Sequence, residues 1–180
     1  MALVLSTTGF IAITDASYDQ ADKLLDQALE AGTMAGDVHR VATVRGNQGL
    51  VALFENQMQS ATEAFREQLA LCRDSRISHP TLVWEGLSGL AAVAAARGEP
   101  ELAAKLVGAT SAYVDTPLNA AEAPVYDRLT ERFLEPARAT LGHAAWDRAC
   151  QEGSTLTLDD AIATGIQDMS VCNSLRPAAG

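Results

Sequence analysis

Three segments of this 180-residue chain share one pattern: a small residue, a gap of twelve, and an alanine that opens a second apolar run. The pairs are Gly9 with Ala21, Gly49 with Ala61, and Ala91 with Ala103, set at nearly equal intervals along the chain. Equivalent apolar residues follow each alanine, namely Leu24-Leu25, Ala64-Phe65 and Leu106-Val107. A period of about 40 residues marks stacked supersecondary units, and each unit reads as two antiparallel helices. The small residues give the period a physical reason. Two helices approach to about 8 Å only where their crossing lacks bulky side chains.

Apolar spacing and breakers predict helices over 2–15 and 18–31, then 37–55 and a partner ending at 73. Two more follow over 81–97 and 100–114. Pro80 and Pro100 suit first turns, and Gly98 suits the break between them. Ser17 with Gln20, Asn56 with Gln59, and Thr157 with Asp160 have the spacing of side-chain capping at helix starts. Residues 115–124, with two prolines, read as a linker. Beyond it come an amphipathic helix over 125–141, a short one over 144–152 carrying Trp146, and a last one over 158–166. The polar tail, 167–180, is expected to fray. No stretch alternates apolar and polar residues as a half-buried strand would, so the fold class is all-α. The domain reading is three helix pairs over 1–114, a C-terminal helical cap over 115–166, and the tail.

Composition excludes several functions. Apolar residues make up 48% and charged residues 20%, ordinary for a globular chain. The net charge of −10 and thirteen scattered basic residues argue against direct nucleic-acid binding, which draws on clustered Lys and Arg. Three widely spaced cysteines, Cys72, Cys150 and Cys172, make neither a disulfide framework nor a zinc site. They read as reduced thiols of a cytoplasmic protein, with Cys72 in the core and Cys172 exposed. The apolar stretch 1–13 lacks a basic leader and is shorter than the ~20 residues of a membrane span. It suits the first helix of the first repeat. No polar capping repeat precedes it. The chain is therefore expected to be the C-terminal part of a longer protein, or to pair end to end as a homodimer through this helix.

The repeats resemble tetratricopeptide units, with a small residue at position eight, alanine at twenty and a large apolar residue at twenty-four. They depart from that pattern where Ala12, Ala52 and Ala94 replace the usual aromatics of the first helix. The stretch Gly89 to Ala109 is similar to the last repeat of large bacterial LuxR-type and AfsR-type transcriptional regulators. So are Tyr126-Asp-Arg, Ala139-Thr-Leu-Gly, Ala145-Trp146, Glu152-Gly153 and Leu158-Asp-Asp-Ala161. The resemblance covers roughly residues 84–166. It implies a tetratricopeptide-like helical-hairpin solenoid acting as a sensor arm, which binds an inducer or partner protein and restrains an upstream signal-transduction ATPase domain. The chain itself has no phosphate-binding loop and no basic helix-turn-helix.

No catalytic constellation stands out. His39, His79 and His143 are the only histidines, and all read as residues of helix starts or loops. Asp159-Asp160 and Glu131 with Glu135 read as a helix N-terminus and a solvated face. Trp84 and Trp146 read as core anchors, with a binding-surface role as the alternative for Trp84. No catalytic, cofactor or metal residue is assigned. In tetratricopeptide geometry the first helix of each pair lines the groove, which maps onto Leu3, Ser6, Phe10 and Ile13, then Thr43, Gly46, Leu50 and Leu53, then Glu85, Ser88, Ala92 and Ala95. The candidate groove residues are Ser6, Phe10, Asn47, Leu50, Leu53, Trp84, Glu85 and Ser88. This apolar surface suits an amphipathic partner segment or an apolar small molecule, with a pocket between repeats and cap as the second possibility. The competing reading is that the last helices fold back and fill it. The functional expectation is a non-enzymatic interaction or sensing module.

Overall fold

A computed structural model of the chain describes residues 1–73, 79–113 and 122–171, with side chains described as far as residue 165. Every regular element among them is helical. The first six helices are α1 (Ala2–Thr14), α2 (Tyr18–Met34), α3 (Val38–Phe54), α4 (Met58–Arg73), α5 (Pro80–Ala96) and α6 (Pro100–Thr110), the last continued by a 3₁₀ turn, Ser111–Tyr113. Each packs on its neighbour in sequence, and α3 also packs on both α1 and α5. Most of the linker read from sequence lies outside the described residues. After it come α7 (Ala123–Leu129), α8 (Glu135–Leu141), α9 (His143–Gly153) and α10 (Leu158–Val171). The last helix extends past its expected end at 166, and 172–180, with Cys172, lies outside the described residues.

The turns within the pairs recur as the sequence period requires. Ala16, Asn56 and Gly98, one in each pair, all have positive φ, at 56°, 62° and 79°. At each, the next amide reaches back across the last turn of the helix to a carbonyl: Ser17 to Ala12, Gln57 to Ala52, and Glu99 to Ala94. This left-handed C-terminal motif satisfies carbonyls that a helix end leaves open. It gives the three alanines in place of aromatics a common position, as the last-turn acceptors of the motif.

The same motif corrects two expected caps. Asn56 is the left-handed residue ending α3, and its side-chain oxygen accepts from Arg132 at 3.0 Å instead of capping α4. Ser17 stands at the start of α2 with no side-chain cap bond. Thr157 does cap α10, accepting from the Asp160 amide at 3.2 Å and bonding its carboxylate at 2.6 Å. Asp37 caps α3 by accepting from the Arg40 amide. Gly32 lies inside α2, which runs past the end at 31 read from the sequence, and Gly36 with φ of 65° makes the turn to α3.

The small residues do open space, though mainly for the large residue four positions beyond the paired alanine. A Cβ on Gly9 would come within 2.9 Å of Leu25, and one on Gly49 within 2.7 Å of the Phe65 ring. A Cβ on Gly89 would strike the same ring. Phe65 of α4 thus fills a slot cut jointly by α3 and α5, and it is 1% exposed. In the third pair both Ala91 and Ala103 are fully buried.

Helix α7, a π-helical turn over Thr130–Leu134, and α8 run continuously over 123–141. Proline at 136 has no amide hydrogen and crowds the carbonyl of residue 132. The wider π turn is one way a helix absorbs that disruption. This crossing helix packs on α1 through α7, on α5 through the π turn, and on α6 through α8. Helix α9 then lies on α6 at backbone contact. A Cβ on Gly108 would overlap the Cys150 carbonyl, and one on Gly153 the Lys105 carbonyl. Lys105 bridges the two helices' acids, at 3.1 Å from Glu101 and 3.3 Å from Glu152.

Gly108→Ala and Gly153→Ala should each lower stability by about 3 kcal/mol in a denaturant melt. The atoms in the way are backbone and cannot rotate aside, so the overpacking outweighs alanine's helix-propensity gain of about 1 kcal/mol. Ala16→Gly should instead raise stability by roughly 0.5–1 kcal/mol, since the left-handed conformation costs alanine about 1–2 kcal/mol and glycine little.

Candidate interaction surface

The crossing helix meets the hairpins at the ends where their first helices stop. Arg128 donates to the Ile13 carbonyl at 3.1 Å, the Thr14 carbonyl at 2.7 Å and the Tyr18 hydroxyl at 3.3 Å. One turn later, Arg132 donates to the Phe54 carbonyl at 2.9 Å and to the Asn56 side chain at 3.0 Å. Thr14 and Phe54 are the last residues of α1 and α3 and occupy equivalent positions of the first two repeats. Two arginines at i and i+4 therefore cap two successive repeats. A cation at a helix C-terminus is also favoured by the helix dipole. Rings fill the space between. Tyr18 stacks on Phe54 at 5.8 Å, Phe54 lies 6.3 Å from Phe133, and the Arg128 guanidinium sits 5.5 Å over the Phe54 ring.

Near the start of the crossing helix lies a polar cluster. Glu85 on α5 accepts from the amide of Gln68 on α4 at 3.2 Å, and the Gln68 side chain is fully buried. Space for that glutamine comes from Gly46, where a Cβ would sit 2.5 Å from its Nε2, and from Gly86, at 3.2 Å from its Oε1. The Trp84 ring lies 4.7 Å from that of Tyr126 on α7. Glu85 keeps some surface open to solvent, yet protein surrounds it closely. Burial, and next the neighbouring charge of Glu122, push its carboxyl up to about 8, against the opposing pull of the Gln68 amide. Burial, then Glu85 and Glu122, likewise hold the Tyr126 phenol well above its ordinary value. Burial and Glu85 push the Cys72 thiol up to about 11.

The eight candidate groove residues divide by exposure. Leu50 and Leu53 are core, at 1% and 0% exposed, and present nothing to a partner in this conformation. Ser6, Asn47 and Ser88 are also buried. The Ser6 hydroxyl donates to the Leu3 carbonyl. Phe10, Trp84 and Glu85 are half-buried. Of the wider groove set only Leu3 is exposed. Helical spacing placed these residues on one side of their helices. It could not show that Tyr126 packs on Trp84, or that Leu50 and Leu53 lie in the core.

Sequence reasoning missed Arg128, Arg132 and Gln68. Their signals are weak: two arginines four apart beyond a linker, and one glutamine between Phe65 and Leu69 in an apolar stripe. The other candidates fall as their types suggest. Trp146 and Cys72 are buried, while Cys150 is half-buried. Arg73 pairs with Asp159 at 2.7 Å. The structure does bring His39 and His79 together, with ring centroids 4.9 Å apart, and burial followed by His79 lowers the His39 pKa. No group of three or more His, Cys, Asp or Glu suited to a metal ion occurs among the described residues. Among them, too, no helix is long and apolar enough to cross a membrane. In comparisons with protein-family models, curated proteins and solved structures, nothing matches this chain significantly.

A carboxyl raised in the folded state contributes most below its unfolded value of 4.5 and loses that contribution as pH climbs through about 8. Glu85→Gln should therefore raise stability at pH 8 by about 1–3 kcal/mol, discounted for solvent contact. It should also flatten the stability profile between pH 4.5 and 8. Thermal melts of both proteins across that range check it.

Proposed function

We propose that this chain is a non-enzymatic protein-interaction and sensing module, a tetratricopeptide-like solenoid of three helix pairs with a C-terminal helical cap. It binds a partner segment on the repeat surface, as the cytoplasmic sensor arm of a bacterial LuxR/AfsR-type regulator. The observation that carries this reading is the crossing helix. An amphipathic helix already lies across the hairpins, anchored by rings and by two arginines that bond the free ends of α1 and α3. Such a surface is chemically suited to holding a helix. A partner helix with the same stride of basic and aromatic residues would compete for it, and release of the crossing helix would be the signal.

A small-molecule sensor is the second reading. It draws on a cleft of about 180 Å³ between the third hairpin's turn and the crossing helix, lined by Ala95, Gly98, Pro100, Phe133 and Pro136 among others. Drug-sized ligands occupy roughly 300–1,000 Å³. The cleft therefore suits only a small fragment, and the helix reading is preferred.

The test uses a labelled synthetic peptide spanning residues 123–141. In the parent chain the built-in copy competes at an effective concentration of about 1 mM, so peptide binding should be undetectable. Arg128→Ala with Arg132→Ala weakens the built-in copy and should reveal saturable binding by fluorescence anisotropy. Circular dichroism confirms that the variant stays helical. A helical variant that still ignores the peptide refutes the reading.

A further inference from the structure

The turns inside the three pairs are alike in backbone and unlike in what meets them. The amides of Ala16, Asn56 and Gly98 donate to the carbonyls of Ile13, Leu53 and Ala95 at 3.0, 3.1 and 3.0 Å. One residue further on, α1, α3 and α5 end at Thr14, Phe54 and Ala96. Arg128 takes the Thr14 carbonyl at 2.7 Å, and four residues later Arg132 takes the Phe54 carbonyl at 2.9 Å. The same stride reaches position 136, which is proline. The third turn has no donor of its own for Ala96 either. The Glu99 amide goes to Ala94 at 3.0 Å, and the residue four past Ala96 is Pro100, without an amide hydrogen. Among the described residues none donates to the Ala96 carbonyl. The cleft of about 180 Å³ lies here, walled by Ala96, Gly98 and Pro100 from the turn and by Phe133, Pro136 and Thr140 from the crossing helix.

We infer that this cleft binds the guanidinium group of an arginine supplied by a partner polypeptide, in the place that the fold fills at its first two turns with Arg128 and Arg132. The end of α5 is the negative end of its dipole, and the net charge of −10 draws a cation towards it. Around that helix end the walls are largely apolar. A guanidinium is planar and more weakly hydrated than an ammonium, so it loses less on entering such a place. The two built-in arginines have similar surroundings, with Arg128 lying 5.5 Å over the Phe54 ring and Arg132 5.0 Å over that of Phe133. Arg132 also lines the cleft, but its guanidinium is committed to Phe54 and Asn56. It already stands one stride from Arg128, so a further cation at the next stride continues a series that the fold tolerates. Drug-sized ligands occupy roughly 300–1,000 Å³, and a single side-chain head group suits the smaller cleft. The inference rests on the same cleft as the small-molecule reading and gives it an occupant of defined chemistry. Unlike the helix exchange proposed above, it requires the crossing helix to stay in place.

The test titrates acetyl-arginine amide into the isotope-labelled full chain and follows backbone amide shifts by NMR, at about 0.15 M salt to screen the net charge. Saturable shifts confined to Gly98, Ala137, Thr140 and their neighbours are expected, with a Kd on the order of 1 mM for so small a group. The citrulline analogue has the same shape without the charge and should leave these amides unmoved. The lysine analogue should bind more weakly. Pro136→Arg completes the stride from within the chain and should abolish binding of the probe. Pro136→Ala removes the same ring without adding a donor and should keep it, and circular dichroism checks that both variants are helical. A parent chain with no saturable shift at the cleft overturns the inference. So does a citrulline analogue that binds as well as the arginine one, or a helical Pro136→Arg variant that binds the probe like Pro136→Ala. A neutral compound that enters the cleft where the arginine probe does not would overturn this inference and leave the small-molecule reading standing.

Discussion

A helix cannot satisfy its own last carbonyls, and this protein is organised around that shortfall. At each hairpin turn a left-handed residue lets the following amides fold back onto the helix end. That local solution recurs at Ala16, Asn56 and Gly98 inside the three pairs, and again at Gly36 between the first two, where the Asp37 amide reaches back to the Gly32 carbonyl. The carbonyls it leaves, at Thr14 and Phe54, are taken by Arg128 and Arg132. The same need thus shapes the turns between helices and fastens the C-terminal helices across them. At the third turn the stride of the crossing helix brings Pro136, which has no donor to offer, and there a cleft lies between the two parts.

Close packing is the second organising constraint, and it depends on glycine in two different ways. Gly49 and Gly89 make room for one large side chain, so that Phe65 locks α4 between α3 and α5. Gly108 and Gly153 instead let two backbones touch, joining α6 to α9 with almost nothing between them. The first arrangement leaves some latitude, because a ring can shift. The second has none. The cap is therefore fixed rigidly to α6, while its crossing helix meets α1 and α3 through long arginine side chains.

The polar cluster between α4, α5 and α7 introduces a tension into that contact. Glu85 sits where its charge is unwelcome, near Glu122 and Tyr126, with one glutamine to support it. Two glycines make way for that glutamine, so its placement is built into the backbone of α3 and α5. The contact between Trp84 and Tyr126 lies beside it. Protonation of Glu85 removes the repulsion near neutral pH, so this end of the crossing helix is held more firmly in mild acid than in base.

The sequence by itself determined the helices, their pairing and the period, because those follow from local apolar spacing, breakers and small residues at fixed intervals. It also marked Trp146 and Cys72 as core and the opening helix as apolar. Caps were legible only where the side chain had no other use. Thr157 behaves as its spacing suggests, whereas Asn56 is drawn into a left-handed turn and bonds an arginine of the distant crossing helix. The state of the groove was decided by tertiary structure alone. Whether Leu50 faces a partner or the core depends on what packs against it across the fold, and helical spacing carries no record of that. Arg128, Arg132 and Gln68 were hidden for the same reason. Their partners lie on other helices, and only the folded chain brings a guanidinium to the end of a helix from a much earlier part of the sequence.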